Sequence, residues 1–445
     1  MILSLDKSAS EPLYKQLGDA LLKKIHAEEI LPHEKLPPIR VLAASLHVNN
    51  ATVVAAYKYL EKKGAAYSIL GSGTFAAKIV SDVGSIESVD DVRGDCINFF
   101  SLATDPALFP ADDFRRAFDE VLVREGAGAF AFPGTRGYAP LREIIGEIFF
   151  EKTPQNIQII QSAGEGLEIL ADALISPGDA VVTETPSAPG AAAVFASRGA
   201  KILEVPVNDE GVDLDRLTFF VKKFKPKIFF LTPNFQMPTT LCYSDIVKLR
   251  VLELAYNSNA YIIEEDLQND FFYNGTKPLT LKNMDEYNRV IYLKSFDRVL
   301  TPGLAGFLAC PDEIIKRLRG FGGASGYIQR GLGFYLKNSD FFAHLEKLRK
   351  AYGRKYHKAV SAAKSFLAPQ SFAEPGGGLG LWIRATGDTS SLADEILSRK
   401  VLVAPGALFS VYSFEQQFFR VNFAGVTEDE VSRGIGTIAS VLRGF

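Results

Sequence analysis

Six short apolar blocks, at 157–161, 180–184, 201–205, 227–231, 260–264 and 290–293, recur with helix-length stretches between them. A strand that is apolar along its whole length is buried on both faces, and parallel strands need a crossover of about a dozen residues or more. The pattern predicts an α/β domain from Cys96 onward: a mostly parallel sheet covered by helices on both sides. At about 100–200 residues per domain, 445 residues predict two or three domains in all. Hydrophobic residues at 47 % and charged residues at 23 % are ordinary globular values, which excludes a disordered or collagen-like chain.

The front of the chain differs in charge. Residues 1–80 hold ten Lys/Arg against seven Asp/Glu, the remainder is net −6, and the whole chain is net −3. No chain-wide basic field advertises nucleic acid, so any such contact must be local. The polar acidic run 81–91 has neither helical nor strand period and reads as a linker. The expected division is 1–79, then a linker at 80–95, then 96–445, with a large part at about 120–320 and a small part at about 330–445 that takes in 96–119.

Within the first segment, Leu13, Leu17, Leu21 and Ile25 repeat at i, i+4 and predict a helix over 11–29. Pro37-Pro38 opens a second helix, His47-Val48-Asn49 makes a tight turn, and Val53, Ala56, Tyr57 and Leu60 mark a third helix ending at Gly64. Two short helices across such a turn make a helix-turn-helix shape, and 65–70, Gly71-Ser72-Gly73 and 74–77 read as strand, turn, strand, which is a wing.

Several chemistries find no footing. Cys96, Cys242 and Cys310 lie far apart without a CxxC pair, against a disulfide framework or zinc ribbon and in keeping with buried thiols. No GxSxG, HExxH or Walker A sequence occurs, and five scattered histidines give no ligand spacing. The 376–380 glycine run lacks the strand, helix and downstream acid of a dinucleotide fingerprint and reads as a turn. The run 344–355 reads as a solvated charged helix face. The first residues lack the order of a secretion signal, and no run of about 18 uncharged apolar residues is present, so the expected setting is the cytoplasm, with no membrane partner.

Pro12-Leu13-Tyr14, the stretch Leu36-Pro37-Pro38-Ile39-Arg40-Val41-Leu42-Ala43, Thr52-Val53, Tyr57, Leu60-Glu61, Gly64 and Gly71-Ser72-Gly73-Thr74-Phe75 together resemble the winged-helix domain of GntR-type regulators. The resemblance implies DNA as partner, with Asn49, Asn50 and Thr52 at the recognition-helix start and Arg40, Gly71, Ser72 and Gly73 holding the backbone. Asn50 and Ala55 stand where that family commonly carries arginines. A winged helix kept only as an interaction module is the competing reading.

The longer part resembles the fold-type I aminotransferase domain, through Asp105-Pro106, Arg136-Gly137-Tyr138, Pro177-Gly178-Asp179, Thr232-Pro233, Pro238-Thr239, Glu265-Asp266, Ser295-Phe296, Pro302-Gly303-Leu304 and Arg420-Val421-Asn422. Joined to the front segment, it resembles the MocR class of regulators. The resemblance implies pyridoxal phosphate, whose Schiff base needs a lysine amine. Arg298 stands at that position, and a guanidinium stays protonated at any usable pH. The phosphate-clamping arginine is also missing after Gly303-Leu304, Ala188 takes the place of the ring-stacking aromatic, and Leu267 that of the tyrosine after the pyridine aspartate. Asp266 as ring-nitrogen partner and Arg420 as carboxylate holder match.

The expectation is a cytoplasmic, dimeric regulator, binding two operator half-sites, whose aminotransferase-like domain lacks covalent cofactor chemistry and takes a small anionic metabolite. From the sequence, Arg298 either faces that anion or pairs with Asp297 or Asp266. Non-covalent pyridoxal phosphate binding stays open, as does the alternative of an aminotransferase with a fused winged helix.

Overall fold

The computed structural model describes residues 12–26, 30, 34–62, 65–69, 73–76, 96–150, 156–300, 304–318, 323–385, 389–410 and 417–443. Contacts group the chain into two compact units, one built on Met1–Arg93, the other on Gly94–Val411 and Glu415–Phe445. The linker expected at 80–95 lies outside the described residues.

In the first unit, α1 (Leu13–His26) buries Leu17, Leu21 and Ile25 against Val53, Ala56, Tyr57 and Leu60. Each such side chain contributes roughly 1.5–3 kcal/mol. The second helix, α2 (Ile39–Ser45), starts after the proline pair, where Pro38 O accepts the Val41 and Leu42 amides. His47 takes a left-handed φ of 51°, and α2 meets α3 (Asn50–Lys62) at 115°, a helix-turn-helix angle. The Tyr57 hydroxyl donates to Pro37 O at 2.6 Å and pins the third helix to the start of the second. The hairpin follows as β1 (Ala66–Ile69) and β2 (Gly73–Ala76), antiparallel, with Glu34 O and Thr74 O tying β2 to the 34–36 segment.

The second unit begins with β3 (Ile97–Asn98), α4 (Ala111–Glu125) and α5 (Ala139–Phe149). It continues through β4 (Ile157–Ile160), α6 (Ala163–Leu174), β5 (Ala180–Thr185), α7 (Pro189–Ser197), β6 (Lys201–Asn208), β7 (Gly211–Val212), α8 (Leu214–Phe224) and β8 (Ile228–Leu231). Then come α9 (Asp245–Asn257), β9 (Tyr261–Asp266), α10 (Leu281–Met284), β10 (Val290–Ser295), β11 (Gly306–Ala309) and α11 (Asp312–Ile315). All six apolar blocks are strands. Together with β7 and β11 they form one eight-stranded sheet, ordered β4-β11-β10-β9-β8-β5-β6-β7, parallel except for β11 and β7. One face carries Val181, Phe230, Ile263 and Leu293, the other Val182, Phe229, Leu231 and Ile262, each within its own core. That period of two separates, below, the two acids at the end of β9.

After α12 (Gly326–Asn338) and α13 (Phe341–Phe366) comes a small antiparallel sheet, β12 (Gly380–Arg384), β15 (Phe418–Asn422) and β14 (Ala404–Pro405). The intervening α14 (Thr389–Ser398) leads to β13 (Val401–Leu402), which pairs with β3, and α15 (Glu428–Leu442) closes the described chain. Leu381, Ile383, Phe419 and Val421 join Tyr356, Ala359 and Ile435 in a core, so Gly380, Trp382, Arg384, Phe418, Arg420 and Asn422 occupy the sheet's other face. Helix α13 corrects one expectation. His344 is buried on Val299 O at 2.7 Å, and Lys355 is buried with Asp105 at 3.1 Å and Ala424 O at 2.8 Å, so 344–355 is not a uniformly solvated face. Of the thiols only Cys310 is buried, while Cys96 and Cys242 are half-buried.

Candidate functional site

On the first unit, Arg40 is exposed near the start of α2 and Asn50 is exposed as the first residue of α3. The Asn49 carboxamide oxygen accepts the Ala51 amide at 2.9 Å, so that oxygen caps the recognition helix instead of meeting a base. Thr52 is half-buried one turn in. Gly73 has φ 125°, a conformation that favours glycine, and the Lys35 side chain lies across it. Lys35, exposed with its ammonium 6.0 Å from the Phe75 ring, adds a cation at the wing that motif reading missed. Gly71 and Ser72 lie outside the described residues.

In the second unit, a small hollow of about 20 Å³ lies between the end of the large sheet and the polar face of the small one. Gln236, Met237, Thr240, Gln268, Arg298, Arg420 and Asn422 line it, with Leu102 and Leu379. Arg298 donates to Leu102 O, and Arg420, from β15, donates to Phe100 O. Among the described residues, neither guanidinium has a carboxylate within ion-pair distance. Arg420 is 6 % exposed, and its Nε has no hydrogen-bond partner. Burial, and then the neighbouring Arg298, push the Arg420 guanidinium down to about 9, where it is still a cation at neutral pH. Burial also lowers Arg298, opposed by Asp297 and Glu265. Two like charges held out of water without a carboxylate at ion-pair distance are costly, and each guanidinium offers a planar fork that fits a carboxylate or phosphate.

Three expected members of this cavity do not line it. Asp266 projects from the other face of β9, where it accepts the Asn269 amide at 3.1 Å and the Tyr292 hydroxyl. It also faces the Lys294 ammonium at 3.5 Å, and Lys294 sits 2.8 Å from Asp270, which Lys277 contacts at 2.7 Å. Lys294, Asp266 and Asp270 are all at most 3 % exposed. Both carboxylates hold the Lys294 proton more tightly than usual, against burial, and the two lysines hold Asp270 ionised. Leu267 is half-buried beside this network, and Ala188 caps α7 without reaching the cavity wall. The acid of β9 whose charge acts on Arg298 is Glu265, on the face opposite Asp266. Its Oε2 is buried without a partner, and burial, reinforced by Glu184 and opposed by Arg298, pushes it up to about 7.

Strand alternation explains the exchange. Lys294 and Asp266 are paired in register on one face, while Glu265 and Leu293 share the other. The doublet Glu265-Asp266 does not reveal which residue points where unless the strand is phased on Ile263, which belongs to the α6 and α7 core. Gln236, Gln268 and Asn422 were missed because single amides carry no motif. The glycine run, by contrast, has a use: Gly377 packs against the Phe271 carbonyl and the Phe235 ring with no room for a Cβ.

Pyridoxal phosphate can be tested against this arrangement. No lysine lines the cavity, Arg298 does, and the Lys294 ammonium is committed to two aspartates on the opposite face. The described residues therefore do not fit a Schiff base.

Residues 97–438 match the family of aminotransferases class I and II, and residues 13–76 match the bacterial regulatory proteins of the gntR family. The chain is 25 % identical to the uncharacterized HTH-type transcriptional regulator YisV of Bacillus subtilis, over 98 % of its own length and 97 % of the other. It is also 25 % identical to the probable rhizopine catabolism regulatory protein MocR of Rhizobium meliloti, over 99 % and 96 %. Among solved structures, the kynurenine aminotransferase of Pyrococcus horikoshii superimposes with a TM-score of 0.76 at 22 % identity, over 85 % of this chain and 97 % of that one, a likeness of fold. That family implies pyridoxal phosphate. The chain thus belongs to the aminotransferase class I and II family, carried behind a gntR-family winged helix in the MocR-class arrangement of a DNA-binding transcription regulator.

Proposed function

We propose that the aminotransferase-like domain of this regulator does not transaminate and instead binds a small anionic effector whose occupancy alters DNA binding. The observation that carries the reading is the pair Arg298 and Arg420, two guanidiniums on one cavity with no carboxylate at ion-pair distance among the described residues, the Arg420 Nε lacking any hydrogen-bond partner. An amine that condenses must shed its proton, which a guanidinium does not do, whereas a fixed fork of donors is suited to holding a carboxylate or phosphate.

The same reading takes 1–79 as the DNA-binding domain, 80–95 as linker and 96–445 as the effector domain, and places the protein in the cytoplasm. It also takes the protein as a homodimer, so that two winged helices meet two half-sites. Support for the dimer comes from Val123, Phe130 and Phe132, which are 82 %, 64 % and 64 % exposed on and just after α4. Among the described residues, no single helix is long and apolar enough to cross a membrane.

The test is a mobility-shift titration of the full chain on DNA from upstream of its own gene, with and without phosphate, short carboxylates and pyridoxal phosphate. Anion-dependent affinity that disappears in Arg298→Gln supports the reading. A yellow preparation whose cofactor borohydride traps on a lysine would overturn it.

A further inference from the structure

The anion cavity does not end at its two arginines. Thr240 lines it and also lines a second, larger trough of about 530 Å³ that opens toward the surface. The trough's floor is the same face of the small sheet. Register sets Trp382 beside Arg420 and Arg384 beside Phe418, so one sheet face runs from Asn422 and Arg420 at the closed end to Trp382 and Phe418 in the open part. Trp382 stacks on Phe418 with ring centres 5.1 Å apart and planes 2° from parallel, and meets Phe409 edge-on at 5.6 Å. The Phe409 ring is in turn 5.6 Å from the Arg420 guanidinium. Pro186, Leu241 and Cys242 form the facing wall.

A cationic hollow and a flat aromatic surface therefore lie along one sheet face, with Thr240 on the wall of both. Trp382 is half-buried, so part of its ring remains open to the trough. A short anion would satisfy the arginines and leave the aromatic surface wet. A carboxylate with a flat apolar body would satisfy both, because rings stack offset on rings and gain by leaving water. We propose that the effector is a carboxylic acid bearing a planar, apolar body, its carboxylate held at Arg298 and Arg420 and its body lying in the trough against Trp382. This rests on the anion reading above and adds the ligand's class to it.

Trp382 is the chain's one tryptophan, so intrinsic fluorescence reports on this place directly. The full chain is titrated with 3-phenylpropionate, acetate and the neutral 3-phenylpropionamide. The expected result is a saturable change in emission with 3-phenylpropionate, about tenfold or more tighter than acetate, and none with the amide at the same concentrations. By calorimetry, Trp382→Leu should bring 3-phenylpropionate close to acetate while leaving acetate unchanged, and Arg298→Gln should weaken both acids. Equal binding of the two acids by the unaltered chain, which needs no variant to fold, would overturn the extended site and leave the anion reading standing. Amide binding as tight as the acid would overturn the assigned orientation. Failure of either acid to bind would defeat the anion reading itself.

Discussion

Lys294 is the lysine that faces both Asp266 and Asp270, so its role separates a structural site from a catalytic one. Lys294→Met keeps the length of the side chain and its packing near Phe149, whose ring lies 5.7 Å from the ammonium, and removes only the charge. Asp266 would retain the Tyr292 hydroxyl and the Asn269 amide, and Asp270 would retain Lys277. Removing one partner of a buried ion pair costs about 3–5 kcal/mol. Because Lys277 stays, the lower end applies, about 3 kcal/mol, which at roughly 2 °C per kcal/mol lowers the unfolding midpoint of this unit by about 6 °C. The sign of the pH dependence is a second check. In the unaltered chain Asp270 is held below the ordinary carboxyl range despite burial, so that stability is present above the unfolded value near 3.9 and is lost as pH falls through the folded one. In the variant burial favours the protonated form of Asp270, so the gap between the two proteins narrows as pH falls. Thermal unfolding followed by circular dichroism and Trp382 emission measures both. A gap below about 1 kcal/mol, well under the range for a broken buried pair, or a pyridoxal chromophore present in the unaltered chain and lost in the variant, would refute the structural role.

Arg298→Leu removes the like charge facing Arg420, so without added anion the unit is expected to gain about 1 kcal/mol while its stabilisation by phosphate disappears. A loss of stability on calorimetric scanning would instead mark the bond to Leu102 O as the residue's main contribution. Glu265, facing Arg298 and Glu184 and following the buried Glu264, is pushed up to about 7, so it is neutral below that pH and negative above it. Anion affinity should therefore fall as pH rises through about 7. Glu265→Gln should flatten the calorimetric profile only in part, since Glu184 is pushed into the same range. On the first unit, Arg40→Ala should weaken binding to all DNA sequences and reduce the salt slope by about one. Asn50→Ala should relax sequence preference by about 1–3 kcal/mol at one position, read by competition shifts.

The large sheet was legible because strands buried on both faces leave continuous apolar runs, and all six blocks appear in one sheet. The first unit was legible because prolines, the His47 turn and an i, i+4 leucine series punctuate it locally. Side-chain direction at the ends of strands was not legible. Asp266 and Glu265 are neighbours in sequence on opposite faces of one strand, and their roles are fixed by Lys294 and Tyr292 on one side and Arg298 on the other. His344 and Lys355 misled for a related reason: long polar side chains on α13 reach buried carbonyls that come from remote segments. The unmatched arginines were half visible. Composition and motif place Arg298 and Arg420 in one site, but only the fold shows that Asp297 and Asp266 do not pair with Arg298 at ion-pair distance.

Arg298 follows β10 of the large sheet, Arg420 lies on the small sheet, and both donate to one stretch of backbone, at Leu102 O and Phe100 O. Asn422 donates to Ser101 O between them at 2.6 Å. That stretch follows β3, so three cavity side chains grip the chain near the start of the second unit's described residues. If the proposed anion draws the two guanidiniums together, the load on those carbonyls is expected to shift, and the 100–103 segment is where coupling to DNA binding can be tested. Asn422→Ala releases the middle grip and leaves both arginines in place. By linkage, the factor by which 3-phenylpropionate changes DNA affinity equals the factor by which DNA changes 3-phenylpropionate affinity, so the coupling can be read from either side. The expected outcome is a coupling factor that falls toward one while anion affinity, followed at Trp382, changes by less than about threefold, under 1 kcal/mol. An unchanged coupling factor would show that the 100–103 segment plays no part in the transmission.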